Sequence, residues 1–323
     1  MSNLTQKGMV VEMKVCAGIV LYNPDAKRLA ENINAIKPQV DMLVFVDNAS
    51  ANIDEVRSKF ADDNHIWIIN ETNQGIAVAL NQLIDFADKN GYEWILTLDQ
   101  DSICEENLVN KLLEVIKVEK NAEKESLAEK NALAERERLA EREASADNRK
   151  TAMLGPLIMD RGIADADLPP DKTLADIEDV RFCITSGCLT DVKAVADVGG
   201  FNEWLFIDEV DREICLRLLH RGYRLLRVNT VELKHEYGSK TVTRKLLWKE
   251  VIYRNYAPIR VYYQTRNLVY MMRKYGREYT PRLFYRWVRL FFAFSVKFIC
   301  ERDRIQRLKA FAKGLKEGLT VKI

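Results

Sequence analysis

Several patterns that mark common protein classes are missing from this 323-residue sequence. Its six cysteines are scattered without the paired spacing of a zinc site. No hydrophobic signal segment precedes Met13, and residues 1–13 are expected to form a loose leader. These absences argue against a metal-stapled or secreted protein, so we expect a reducing cytoplasmic setting.

Charge of neither sign dominates the whole chain, whose formal net charge is only +1. Residues 240–323 nevertheless contain 21 Lys and Arg against 5 Asp and Glu, so this region carries +16 and the remainder carries −15. An apolar content of 47% is enough for a sizeable buried core, which suits a globular enzyme. The basic region predicts a negatively charged partner, either nucleic acid or an anionic membrane surface.

Short apolar runs alternate with helix-like segments over the first hundred residues. The predicted strands are Val15–Tyr22, Met42–Val46, Ile66–Ile69 and Trp94–Leu98, and the predicted helices are Ala26–Ile36, Ile53–Phe60 and Ile76–Lys89. Repeated strand–helix–strand order predicts an α/β protein with a doubly wound, mostly parallel sheet. The first turn has no glycine fingerprint, which argues against a Rossmann-type dinucleotide-binding fold.

The segment at residues 118–150 is composed almost wholly of Glu, Lys, Arg, Ala, Asn and Leu. Its near-repeats LAEKNA, LAERER and LAEREA recur every six residues, a spacing that gives no continuous apolar seam on a helix. We interpret it as a charged, solvated helical insertion, with a partner-binding helix as the alternative. Beyond it we predict strands at Met153–Ile158 and Tyr223–Leu233, with an irregular loop at Arg161–Asp179 between them.

Two carboxylates, Asp99 and Asp101, follow the apolar run that ends at Leu98. In open α/β sheets ligands bind at the carboxyl ends of the strands, so this pair lies where a ligand is expected. Two oxygen ligands suit a divalent cation that also binds a substrate diphosphate. A solvated turn that caps a helix with Asp101 or Ser102 is the alternative.

Separate short motifs occur in a fixed order over residues 14–270. They are Val20–Asn23, Val46–Ser50, Asn73–Asn81, Leu98–Ser102, Gly199–Phe201, Ile207–Asp211, His235 and Arg266–Asn267. Together they resemble the inverting glycosyltransferases of family 2, which have the GT-A nucleotide-sugar-binding fold. The run LDQDS, with the later FID-x-VD cluster, is most similar to bacterial rhamnosyltransferases that use dTDP-L-rhamnose.

The resemblance implies a nucleotide-sugar site along the first four strands. Its residues would be Leu21, Tyr22, Asn23, Asp47, Asn48, Asn73, Gly75, Ala79, Asn81, Asp99, Gln100 and Arg266. Asp47 would accept hydrogen bonds from the base or ribose, the alternative being an ordinary turn residue. Ala79 would lie close to the nucleotide, pack on the sheet, or do both. Arg266 would bind the diphosphate, with an ordinary surface arginine as the alternative.

The resemblance also implies a divalent cation, Mg²⁺ or Mn²⁺, beside the donor diphosphate. Asp101 would be its direct ligand, and Asp99 would bind the ribose or a metal-bound water. His235 would be an additional metal ligand or a phosphate contact, with a purely structural histidine as the alternative. Such a cation would stabilise the charge that gathers on the diphosphate as the bond to the sugar breaks.

An acidic cluster, Asp208-Glu209-Val210-Asp211, precedes a helix-like segment. Transfer with inversion requires a base that takes the proton of the acceptor hydroxyl, and a carboxylate is the usual choice. Asp208 is the first candidate and Glu209 the second, because many relatives carry Glu-Asp where this chain has Asp-Glu. Asp211 would orient the acceptor or cap the helix. Alternatively, all three acids simply occupy the first helical turn, where they favour the helix dipole.

The basic C-terminal region combines Arg, Lys and aromatic residues in helix-like patterns. Its apolar run from Leu283 to Cys300 is interrupted by Arg286, Arg289 and Lys297, which argues against a membrane-spanning helix of ~20 residues. We expect residues 240–323 to associate with an anionic membrane surface. Packing on the catalytic domain or on another subunit is the alternative.

The sequence thus predicts a GT-A catalytic domain at residues 14–239, carrying the insertion at 118–150, and a helical basic extension at 240–323. The leading function is transfer of a sugar, with L-rhamnose favoured, to a lipid-linked or cell-surface polysaccharide, such as an O antigen or a cell-wall glycan. The enzyme would be peripheral on the inner face of the cell membrane. A transferase for a UDP-hexose or UDP-galactose is the alternative within the class. A nucleic-acid-binding module using the basic tail would need a recognisable binding motif, and the sequence contains none.

Overall fold

The computed structural model describes residues 13–134, 149–160, 175–235, 241–246, 249–254, 257–300 and 303–323. The predicted leader up to residue 12, residues 135–148 of the predicted insertion and residues 161–174 of the predicted loop lie outside this description. Within the described ranges, nine strands form one large sheet and two more form a separate hairpin.

The first half of the large sheet is parallel, as the sequence predicted. Its strands lie side by side in the spatial order β3-β2-β1-β4, and every pairing among them is parallel. Helices follow the first three strands, and the inner strands are buried on both faces, which explains their continuous apolar runs. The elements are β1 (Val15–Leu21), α1 (Ala26–Ile36), β2 (Met42–Asp47), α2 (Ile53–Lys59), β3 (His65–Ile69), α3 (Ile76–Lys89) and β4 (Trp94–Asp99).

The second half of the sheet is mixed. After β4 the spatial order continues β8-β6-β9-β5, and β7 pairs antiparallel with β9. These strands are β5 (Ile103–Cys104), β6 (Thr151–Asp160), β7 (Ile177–Asp179), β8 (Cys188–Asp191) and β9 (Arg224–His235). The predicted irregular loop at Arg161–Asp179 was wrong at its end, because β7 forms there through pairing with a strand almost fifty residues later.

Two apolar clusters cover the two faces of the sheet. One gathers α3, α5 (Val192–Asp197) and α6 (Val210–Arg221), and the other gathers α1 and α4 (Leu108–Ala134). The buried residues Leu108, Leu112 and Ile116 anchor the start of α4 in the core. The predicted insertion therefore begins as the continuation of a core helix.

The region after residue 240 is not helical throughout. It opens with an antiparallel hairpin of β10 (Thr241–Leu246) and β11 (Lys249–Arg254). The sequence analysis did not predict this hairpin. The basic and aromatic composition of the region indicated helices, although both segments contain β-branched residues that favour strands. Two helices follow, α7 (Pro258–Cys300) and α8 (Arg304–Thr320).

The first part of α7 belongs to the core rather than to the surface. Leu268, Met271 and Tyr275 are buried in the same cluster as α6. Helix α8 lies close against this part because Gly314 and Gly318 have no side chains. A Cβ on Gly314 would come within 2.5 Å of a backbone oxygen of α7, and one on Gly318 within 2.6 Å.

Among the described residues, none of the helices combines the length and apolar character needed to cross a membrane.

Candidate active site

Asp99, Asp101 and His235 come together at one edge of the sheet. Asp99 ends β4 and His235 ends β9, while β5 pairs with β9 and so places the intervening turn beside His235. His235 Nε2 lies 3.8 Å from Asp99 Oδ2, and its Nδ1 lies 4.0 Å from Asp101 Oδ1. One ligand atom from each of the three residues falls within 4.8 Å of the others. The side chains that the sequence grouped as metal ligands are therefore neighbours.

Two buried serines form hydrogen bonds with residues of this cluster. Ser102 Oγ lies 2.9 Å from His235 Nδ1 and 2.7 Å from Ser186 Oγ, and the Asp99 backbone N–H donates to Ser186 Oγ at 3.0 Å. Both serines are buried. An imidazole whose Nδ1 is engaged in this way keeps Nε2 on the side of Asp99, the arrangement expected of a histidine that binds a metal.

Several acidic groups of the site lie close together in an environment that is largely removed from water. Removal from bulk water raises the pKa of the Asp99 carboxyl to about 6; His235 counteracts the rise, and Asp101 and Asp211 add to it. Burial likewise raises the pKa of Asp211, against hydrogen bonds from Thr185 that lower it. Carboxylates held together at this energetic cost are typical of a site that receives a cation. The two carboxylates fit Mg²⁺ or Mn²⁺ by ligand type, and the imidazole is a more usual ligand of a transition metal such as Mn²⁺ than of Mg²⁺.

Asp47, predicted to bind the base or ribose, is fully buried at the end of β2. Its Oδ2 accepts a hydrogen bond from Ser50 N at 2.9 Å. Its Oδ1 is buried and has no hydrogen-bond partner among the described residues. A buried carboxylate oxygen without a donor is costly, and a ligand N–H or O–H would satisfy it.

The other predicted donor-site residues at the strand ends mainly fix the backbone. Tyr22 N donates to Gln100 Oε1 at 2.8 Å, which joins the ends of β1 and β4, and the Tyr22 ring remains half exposed. Leu21 is fully buried. Asn23 Oδ1 accepts from the Ala51 backbone at 2.8 Å.

The predicted residues around the start of α3 hold a second chain segment in place. Gly75 has φ +86°, and a Cβ there would meet Phe206 at 2.6 Å, so only glycine allows the close approach. Asn48 Nδ2 donates to Gly75 O at 3.1 Å, and Asn73 Oδ1 accepts from Gly75 N at 2.9 Å. Within α3, the Asn81 side chain pairs with the Phe201 backbone, and Ala79 is fully buried in the core. For Ala79 the structure shows the packing role.

The acids of the second cluster lie mostly before the helix rather than in its first turn. Asp208 and Glu209 both have φ +63°, as does Phe206, and only Asp211 lies within the first turn of α6. Glu209 occupies the N-cap position but makes no side-chain capping hydrogen bond. Each left-handed non-glycine residue costs roughly 1–3 kcal/mol. Helix capping therefore does not explain Asp208 and Glu209.

Each acid of this cluster has a cationic or hydroxyl neighbour. The two carboxylate oxygens of Asp208 accept from Arg260 of α7, at 3.1 and 3.2 Å. Glu209 lies 3.6 Å from Arg212. Asp211 Oδ1 accepts from Thr185 Oγ1 at 2.7 Å, so it is joined to the same loop that carries Ser186.

Arg266 is buried, not a surface arginine. Its guanidinium stacks over the Trp204 ring, 3.9 Å from the centroid, and donates to the backbone oxygens of Trp204 and Leu205. These contacts hold the segment before the acid cluster, while the predicted diphosphate contact stays a prediction.

Thr185, Ser186 and Arg260 were missed as site residues. They lie far in sequence from the acids that they contact, and none forms a motif with its immediate neighbours. The only signal was the polar run Thr185-Ser186-Gly187 inside an otherwise apolar segment.

The comparisons with known proteins agree with this geometry. Residues 16–124 match the family described as Glycosyl transferase family 2. The chain has the GT-A fold and is a glycosyltransferase, and its match to the family 2 model is limited to residues 16–124. It is similar to the dTDP-rhamnosyl transferase RfbF of Shigella flexneri, with 26% identity over 281 residues that cover 80% of each chain.

Solved structures show the same fold at lower identity. A crystal structure of GalNAc-T7 with UDP, GalNAc and Mn²⁺ superposes with a TM-score of 0.55 at 15% identity over 94% of this chain. The chain spans only 56% of that protein. A structure of S. aureus TarS 1-349 in complex with UDP-GlcNAc gives a TM-score of 0.56 at 13% identity, covering 94% of this chain and 81% of that one.

Proposed function

We propose that the protein transfers L-rhamnose from dTDP-L-rhamnose, with inversion, to a hydroxyl group of a lipid-linked or cell-surface polysaccharide. The proposal is carried by the Asp99–Asp101–His235 cluster, together with the buried, incompletely satisfied Asp47 at the end of β2. Rhamnose is favoured by the similarity to the Shigella dTDP-rhamnosyl transferase. A UDP-sugar donor is the competing proposal, supported by neighbours whose structures contain UDP or UDP-GlcNAc.

Asp101, Asp99 and His235 would hold Mg²⁺ or Mn²⁺ at the edge of the sheet. A bound cation would supply positive charge to the departing diphosphate. Asp47 Oδ1 would accept from the base or ribose, and Ser102 with Ser186 would keep the His235 ring in its orientation.

The Asp208–Glu209 pair would supply the base that takes the proton of the acceptor hydroxyl. Asp208 stays the first candidate and Glu209 the second. Both oxygens of Asp208 are engaged by Arg260, so a base role for Asp208 requires this ion pair to open when the acceptor binds. Asp211 would orient the acceptor side by fixing the Thr185 loop.

We also propose that the second part of α7 contacts an anionic membrane surface at the inner face of the cell membrane. Large apolar side chains are exposed there, at Tyr285, Val288, Phe291 and Phe292. The surrounding region of residues 240–323 carries an excess of 16 positive charges. Exposed aromatic residues beside many cations suit a helix lying among anionic lipid headgroups. The first part of α7 packs in the same core as the preceding residues. The proposed boundary at residue 240 would therefore separate two functions and not two separately packed domains.

A donor screen tests the proposed reaction. Purified full-length protein is incubated with dTDP-L-rhamnose, UDP-GlcNAc or UDP-galactose, with Mg²⁺, Mn²⁺ or EDTA, and release of the nucleoside diphosphate by transfer of the sugar to water is measured. The proposal predicts turnover of dTDP-L-rhamnose only when a divalent cation is present. Turnover of a UDP-sugar alone would reassign the donor. Equal turnover in EDTA would remove the cation from the mechanism.

A further inference from the structure

One buried amide of α7 contacts three backbone oxygens of the loop that carries the proposed base, in addition to the contacts that Arg260 and Arg266 make there. Asn267 Nδ2 of α7 donates to three backbone oxygens, those of Leu205 and Ile207 at 2.7 Å and that of Asp208 at 3.0 Å. Asn267 is fully buried, and its Oδ1 accepts from Arg266 Nε at 2.9 Å. The orientation of the amide is therefore fixed, with its donor side toward the loop.

This loop requires an external restraint. Phe206, Asp208 and Glu209 all have φ +63°, a backbone conformation that residues with side chains rarely adopt. A strained segment of this kind persists only where its surroundings determine it. The Phe206 ring is stacked on Tyr263 of α7 at 4.6 Å, so the loop is also attached to α7 through an aromatic contact.

The hydrogen bonds from Asn267 to the loop carbonyls can also affect the proposed proton transfer. The three oxygens bound by Asn267 belong to the backbone that leads into Asp208 and Glu209. Among the described hydrogen bonds, none joins Asn267 to either carboxylate group. Its influence on a proton transfer would pass through the loop backbone. A displacement of about 1 Å in the position of a reacting group costs on the order of 10²-fold in rate.

We propose that Asn267 is a positioning residue for glycosyl transfer, which aims the carboxylates of Asp208 and Glu209 at the acceptor by fixing the left-handed loop at residues 205–209. The inference rests on the proposed function. Asn267 acts on the transfer step and not on binding of the nucleotide, whose pocket lies at the ends of β1, β2 and β4.

The test compares Asn267→Asp with Thr265→Val in the full-length protein. The first substitution keeps the shape of the side chain but replaces the donor by an oxygen that faces three carbonyls. The second removes a hydrogen bond within α7 at an equally buried position that does not touch the loop. Tyr263→Leu is a milder variant that removes the stacking on Phe206, together with the ring contacts to Arg266 and Tyr262.

The kinetic result expected for Asn267→Asp is a fall in the kcat of transfer of about 10²-fold, with the KM for the donor and the Kd for dTDP unchanged. Tyr263→Leu should shift kcat in the same direction by a smaller factor, and Thr265→Val should leave it unchanged. A parallel loss of kcat and of dTDP affinity would overturn the positioning role in favour of a general structural one.

A double-variant cycle supplies a readout that a purely structural residue would not move. When the base of the Asp208–Glu209 pair is already replaced by its amide, adding Asn267→Asp should change the residual rate by less than about twofold. Full additivity of the two losses would contradict a role that passes through the base.

Hydrogen exchange separates this inference from the proposed function, because it needs no substrate. Asn267→Asp should accelerate exchange of the backbone N–H groups of residues 205–207, which form short turn hydrogen bonds, and leave β1 and β2 protected. Unchanged exchange at residues 205–207 would overturn the inference even in an active enzyme. If exchange changes as expected but no donor is turned over by the wild type, the proposed function fails instead.

Discussion

The two walls of the candidate active site are built in different ways. On the donor wall, Asp47 and Asp99 stand at the ends of the parallel strands β2 and β4, which lie on either side of β1. On the acid wall, Asp208 and Glu209 project from a left-handed loop. That loop is held by Arg260 and Asn267, which come 52 and 59 residues after Asp208.

This difference indicates how each wall should respond to change. Asp47 and Asp99 themselves lie in strands, although Asn23 and Ala49 nearby have φ of +48° and +62°. Substitutions at these two acids should therefore alter ligand binding and little else. A strained loop depends on distant contacts, so substitutions in α7 should alter the transfer step while the nucleotide still binds. Four sets of substitutions test this division.

The largest effect is expected at the proposed cation. Asp101→Ala should lower transfer by about 10³-fold, because the charge on the leaving diphosphate loses its compensation. The same variant should lose the dependence of nucleotide binding on Mn²⁺. Asp63→Ala, which removes an exposed acid far from the site, is the control. Full activity of Asp101→Ala in Mn²⁺ would remove the cation from the donor wall.

The next largest effect concerns the acid wall. Asp208→Asn and Glu209→Gln are compared side by side, and the variant that removes the base should lose transfer by about 10²-fold or more. Calorimetric titration with dTDP should give wild-type affinity for both variants. If either variant loses nucleotide affinity to the same degree as activity, the two walls are not functionally separate.

A smaller effect is expected where the two walls meet. Gly75→Ala should reduce the free energy of unfolding by about 2 kcal/mol, because a Cβ would meet the acid-wall residue Phe206 at 2.6 Å in a backbone conformation reserved for glycine. Gly91→Ala shares the positive φ but has open space around it, so it should cost less than half as much. Denaturant midpoints measure both. Equal losses would mean that the contact with Phe206 carries no energy.

The smallest effect on stability is expected in the second part of α7. Phe291→Ser with Phe292→Ser should change unfolding free energy by less than about 0.5 kcal/mol, since both side chains are exposed. Flotation with vesicles of anionic lipid should nevertheless fall sharply compared with the wild type. Point substitutions are preferable to truncation, because the first part of α7 is needed by the core. If flotation is unchanged, the membrane proposal for this surface is wrong, and packing on another subunit becomes the better explanation of its exposed aromatic residues.

The donor wall could be predicted from the sequence, and the acid wall only in part. The apolar runs from Val15 to Leu98 gave the first four strands and three helices nearly to the residue, since local periodicity determines them. The grouping of Asp99, Asp101 and His235 came from the resemblance to family 2, and the structure does bring the three side chains together at the ends of β4 and β9.

The missing parts depend on contacts between distant residues. Nothing local to Arg260 or Asn267 indicates that they bind a loop more than fifty residues earlier. The burial of Arg266 could not be predicted from the sequence either. Composition alone would place this arginine at the surface, whereas in the structure its guanidinium is stabilised by stacking on Trp204. The hairpin at Thr241–Arg254 was hidden by the charge of the region around it.

The most direct measurement is calorimetric binding of dTDP to wild type, Asp101→Ala and Asn267→Asp, each with Mn²⁺ and with EDTA. We predict that Mn²⁺ strengthens dTDP binding to the wild type and to Asn267→Asp by the same factor, and that Asp101→Ala shows no such gain. Binding that ignores Mn²⁺ in the wild type, or a gain that survives in Asp101→Ala, would contradict a cation-dependent nucleotide site on the donor wall.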